Sequence, residues 1–78
     1  MIPLPVLSGK KLLGILLKHG FRALRIKGSH VFVEAIDGPQ TTVIPVHGNE
    51  DLGKGLLKSI LNELDLEVND LLKMLRKK

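Results

Sequence analysis

An α+β fold is the class this 78-residue sequence predicts, with a three-stranded antiparallel sheet carrying helices on one face, in the order α-β-β-β-α plus a short C-terminal helix. Three observations predict it. Leucines recur at helical spacing near both ends of the chain. Between them, residues 21–46 are rich in β-branched side chains and are punctuated by Gly28 and by the turn-forming run Ile36-Asp37-Gly38-Pro39-Gln40. Helices and strands are thus segregated along the chain, so they can pack as two layers that leave one sheet face uncovered.

Each element has its own signal. Ser8 can cap a helix over about 9–19, because its hydroxyl can accept from an amide that the first turn leaves unpaired. Leu12, Leu13, Leu16 and Leu17 form the apolar stripe, Lys10, Lys11 and Lys18 stay wet, and Gly20 ends the helix as a left-handed residue. Gly14 weakens this helix by up to ~1 kcal/mol relative to Ala, so packing must hold it. Over 21–26 the apolar spacing shortens to about two, and Gly28 bends the chain into a second strand over 30–35. Residues 41–46 make a third strand, whose end Pro45 demotes to an edge or an exit. A polar, glycine-containing loop follows over 47–53. Leu56, Leu57, Ile60, Leu61 and Leu64 then mark a second helix, and Val68, Leu71, Leu72 and Leu75 a third over about 68–76, ending in the basic tail Arg76-Lys77-Lys78. The whole of 1–78 is expected to be one domain, with a core over 8–64 and a helical extension over 67–78.

Composition narrows the function classes. There is no Cys, which removes disulfides and thiolate metal sites. Hydrophobic residues make up 44% of the chain but aromatic ones only 3%, so Leu, Ile and Val carry the burial at about 25 cal/mol per Å². Phe21 and Phe32 are the only aromatic rings of that class, too few for a platform on which several bases stack. A formal charge of +4 favours a polyanionic partner. The apolar start over 1–7 is broken by Pro3 and Pro5 and lacks basic residues, so it reads poorly as a signal peptide, and no apolar run approaches the ~20 residues that span a bilayer. A cytoplasmic protein with no membrane association is expected.

The stretch Lys27-Gly28-Ser29-His30 carries the most chemistry. It sets an imidazole, able to give and take protons near neutrality, beside a cation at a backbone bend. Strand alternation points His30, Phe32 and Glu34 one way and Val31, Val33 and Ala35 the other; the aliphatic set should face the helices, leaving His30 near solvent. Arg22, Arg25 and Lys27 can hold a phosphate through charge-assisted hydrogen bonds, although basic residues on a strand more often form a plain solvated face. Ser29 points away from His30 and reads as a hydroxyl that bonds backbone or phosphate. His47 lies near His30 if the second and third strands pair; its rival role is to anchor its own loop around Gly48 or Asp51. His19 fits the helix C-terminus electrostatically. The three histidines lack compact ligand spacing, so neither a metal nor any other cofactor is expected. Gly53-Lys54-Gly55 lacks the P-loop pattern and reads as a tight helix entry that could present amides to an anion.

Taken together, Leu16-Leu17-x-x-Gly20-Phe21, Arg25-x-Lys27-Gly28-Ser29-His30, Val43-x-Pro45-x-His47 and Gly55-x-Leu57-Lys58-Ser59-Ile60-Leu61 resemble the HicA toxin family over roughly residues 8–64. The resemblance implies a double-stranded-RNA-binding-domain-like fold, an endoribonuclease (mRNA interferase) of a type II toxin–antitoxin system, His30 as catalytic residue, mRNA as substrate and a HicB-type antitoxin as partner. The free chain is expected to be a monomer. The sequence departs from the family at Leu56, where Thr commonly follows the glycine, and at Ile26, often polar. The expected chemistry is metal-independent acid–base cleavage of RNA at His30, with Arg22, Arg25, Lys27, Ser29 and His47 holding the strand. Two readings of other classes stand beside it. One is a non-catalytic RNA-binding module of the same fold, reading shape across phosphates and 2′-hydroxyls. The other is a protein whose exposed sheet edge docks a partner chain.

Overall fold

A computed structural model describes residues 3–76; Met1, Ile2 and the Lys77-Lys78 end of the basic tail lie outside them. The order is α1 (Gly9–Leu17), β1 (Phe21–Lys27), β2 (His30–Ala35), β3 (Thr41–Pro45), α2 (Lys54–Glu63) and α3 (Val68–Arg76). The strands form one antiparallel sheet in the order β1-β2-β3. This is the expected α+β arrangement of double-stranded-RNA-binding domains, with α3 added.

Ser8 caps α1 as expected, accepting from the Lys11 amide at 3.1 Å. The helix ends at Leu17, two residues short of the expected end, because the Lys18 and His19 amides turn back to Ile15 and Leu16 in a tighter final turn. The His19 ring Nδ1 meets the Ile15 carbonyl at 2.8 Å, and Gly20 follows at φ 90. Gly9 lets the start of α1 touch β3: an added Cβ there would collide with the Pro45 carbonyl oxygen.

Alternation on β2 falls as the aliphatic pattern requires. Val31 and Val33 are buried, as are Thr42 and Ile44 beside them on β3, while His30 is exposed on the other face. The inward Thr42 hydroxyl donates to Glu63 at 2.6 Å, tying β3 to the end of α2. On β1 the pairing slips between Ala23 and Arg25, a bulge at Leu24 that alternation alone does not reveal.

The core is almost wholly aliphatic. Leu12, Leu16, Val33, Ile44, Leu57, Ile60, Leu61 and Leu71 are its fully buried side chains. Leu71 belongs to α3, so the last helix helps fill the core. Leu64 ends α2, Asp65 follows at φ 58, and the Leu66 and Asp65 amides bond the Leu61 and Asn62 carbonyls at 2.8 and 3.1 Å. That is a Schellman motif with Asp where Gly is commonest. Asp70 then reaches back to the Glu67 amide at 2.8 Å, half of a capping box that starts α3.

Candidate active site

The uncovered sheet face gathers the polar side chains. Lys27 and His30 are cross-strand partners on either side of the turn Gly28-Ser29, where Gly28 has φ 61 and Ser29 does not share the left-handed region. A turn with positive φ at its first central residue only is the II′ hairpin turn, whose twist matches that of the strands. On its other side His30 pairs with Pro45, so the imidazole stands exposed at one end of the central strand, between Lys27 and the strand that leads to His47.

His47 is carried by a loop with several fastenings. The Val46 amide donates to the Ser29 carbonyl at 2.6 Å, the Glu50 amide to the His47 carbonyl at 3.0 Å, and the Leu52 amide to the Leu7 carbonyl at 2.7 Å. Asp51 bridges to Ser8, and Leu52 is buried. These contacts hold the His47 ring 6.3 Å from that of His30, centre to centre, with the planes at 84°. His47 Nε2 lies 3.4 Å from Ser29 Oγ, either group being able to carry the shared proton. Of the two expected roles, the ring therefore faces Ser29 and His30, not the backbone of its own loop.

The three cations of β1 are divided. Without the bulge, Arg22 and Arg25 would point to opposite faces, being three residues apart; with it, both reach the uncovered face along with Lys27. Arg25 lays its guanidinium 4.5 Å above the centre of the Phe32 ring, one side-chain row from His30. Arg22 lies at the far end, where its Nε donates to Glu34 at 2.6 Å, the only salt bridge among the described residues. The structure therefore brings together Ser29, His30 and His47, flanks them with Lys27 and Arg25, and leaves Arg22 remote and already paired. Sequence reasoning did not foresee the Arg25–Phe32 stack or the Arg22–Glu34 pair. The first follows from the two-residue turn, which sets position 25 opposite 32; the second follows from the register beyond the bulge, for which opposite charges at positions 22 and 34 were the available signal.

A hollow of about 280 Å³ opens beside His47, bounded by Glu50, Asp51 and the start of α2 at Gly53. Two carboxylates there make the entry to α2 a poor seat for an anion. Among the described residues no group of three or more His, Cys, Asp or Glu side chains converges as metal ligands, and no helix is long and apolar enough to cross a membrane.

With this arrangement in hand, the sequence model of one protein family, described as HicA toxin of bacterial toxin-antitoxin, matches residues 9–66. The match covers α1 through α2 and stops short of α3. No curated protein matches the chain significantly.

Proposed function

Because the chain belongs to the HicA toxin family, and so is a toxin of a bacterial toxin–antitoxin system, we propose that it is a cytoplasmic endoribonuclease that cuts mRNA on the uncovered sheet face and is held in check by a HicB-type antitoxin. The observation that carries the reading is the pair of imidazoles, 6.3 Å apart and perpendicular, at the cationic end of an open sheet. Both rings can reach one phosphodiester, since each acid–base contact needs a heavy-atom separation of only about 2.6–3.2 Å.

The chemistry follows from that spacing. One imidazole takes the proton of a ribose 2′-hydroxyl as the new O2′–P bond forms; the other gives a proton to the departing 5′ oxygen as its bond to phosphorus breaks. The products are a 2′,3′-cyclic phosphate and a free 5′-hydroxyl. Lys27 and Arg25 offset the charge that builds on the phosphoryl oxygens. Ser29 orients His47, and Phe32 holds the Arg25 guanidinium in place. DNA, lacking the 2′-hydroxyl, is bound and spared.

The test is RNA cutting in the presence of chelator by the wild type, His30→Ala and His47→Ala. Each substitution is expected to lower the rate by about 10²–10⁴-fold, and cyclic-phosphate ends should appear only with active protein. Equal cutting by the wild type and His30→Ala would end this assignment. A second reading draws on the Arg25–Phe32 stack, whose Arg25 is exposed and serves RNA binding as well as cleavage: salt-sensitive binding with no scission under any condition would make the chain an RNA-binding module.

A further inference from the structure

A hollow of about 570 Å³ lies between α1 and α3, and neither His30 nor His47 lines it. Along α1 its wall is Lys11, Gly14, Ile15 and Lys18, at i, i+3, i+4 and i+7, which is a single helical stripe. Met74 and Leu75 of α3 complete an apolar floor between the two lysines. Among the described residues no acidic side chain lines the groove. The only salt bridge among the described residues lies on the sheet, so neither lysine is paired with a described carboxylate.

Gly14 supplies a second, independent observation. It stands exposed in the middle of a helix, where it weakens the helix relative to Ala, and an added Cβ would meet nothing within 4 Å. The chain's own packing therefore does not call for a glycine there. A helix approaching from outside would use it, because a missing side chain lets two helix axes come close.

We propose that this groove docks an acidic amphipathic helix of a partner protein. Lys11 and Lys18 stand about 10 Å apart at 1.5 Å per residue, which matches carboxylates at i and i+7 of the incoming helix. Two or three apolar side chains between those carboxylates would sit over Gly14 and Ile15 and against the adaptable Met74. A nucleic-acid backbone would use the lysines but gain nothing from Ile15, Met74 and Leu75. Neither His30 nor His47 lines the groove, so the proposal stands independently of the nuclease reading.

The probes are four helical peptides of roughly 15 residues, each with Glu spaced i, i+7 around Leu, Ile, Phe or Met pairs, a matching set with Lys for Glu, and a hairpin RNA. Each is titrated into the isotope-labelled full chain and followed by amide NMR shifts. The acidic peptides are expected to shift amides of 11–18 and of Met74 and Leu75 while leaving His30 and His47 in place. Lys11→Glu with Lys18→Glu should weaken binding at least tenfold, and so should Gly14→Leu, which fills the groove without lowering Tm. If no acidic peptide binds, or the lysine set binds equally well, the proposal fails. It fails also if RNA alone moves these amides, which would make the groove a nucleic-acid surface.

Discussion

At the scale of single residues, the division among the cations decides what each substitution should do. Arg25 is exposed and stacked on Phe32, whereas Arg22 already serves Glu34. Arg25→Gln is therefore expected to weaken RNA binding and to lower the slope of log affinity against log salt by about one. Glu34→Gln should do the reverse, because it releases Arg22 to the polyanion; salt-dependent fluorescence anisotropy with a labelled RNA distinguishes the two. The placement of His30 was legible because the Gly28 turn and the period of two fix it beside Lys27. The common face of Arg22 and Arg25 was not, since a bulge adds one unpaired residue and reverses every alternation argument upstream of it. The nearness of His47 to His30 was legible only as one of two roles, because a loop's path depends on distant anchors, here Leu7 and Ser8.

At the scale of elements, the helices show how local chemistry sets boundaries. The expected span of α3 matches the structure, because its leucine spacing and the Asp70 cap agree. In α1 the last turn tightens where the His19 ring takes up the Ile15 carbonyl, a contact that periodicity cannot register. The turn between α2 and α3 carries a measurable defect. Asp65 holds a left-handed backbone that a side chain disfavours, so Asp65→Gly is expected to stabilise the protein by up to about 1 kcal/mol. In a chain of this size that corresponds to a rise in Tm of roughly 4–8 °C, read by thermal denaturation monitored by circular dichroism. A fall in Tm would mean that the Asp65 side chain makes a contribution that the turn geometry does not show.

At the scale of the whole molecule, the hydrophobic pattern told which faces turn inward but not how the added helix joins the rest. The sequence placed 67–78 as an extension beyond the core, yet Leu71 is as buried as Leu12 and Leu16. Leu71→Ala is expected to cost about 2–5 kcal/mol, a large part of the 5–15 kcal/mol that holds a typical domain together. Urea denaturation would show the midpoint falling sharply; an unchanged midpoint would mean that α3 contributes little to the folded state. The reason lies in size, since so short a chain without disulfides has little apolar surface to spare and must use the helix that follows the family match.

The span between the two imidazoles is gauged by several anchors that belong to different layers. His30 rides on the central strand, while His47 hangs from a chain segment latched at one end to the hairpin tip and at the other to the residues that lead into α1. The sheet by itself therefore does not determine whether the rings can grip one linkage. Loosening the first turn of α1 would let the second ring drift while every strand stayed paired, so proton-transfer competence should be extinguished at a lower temperature than the sheet itself.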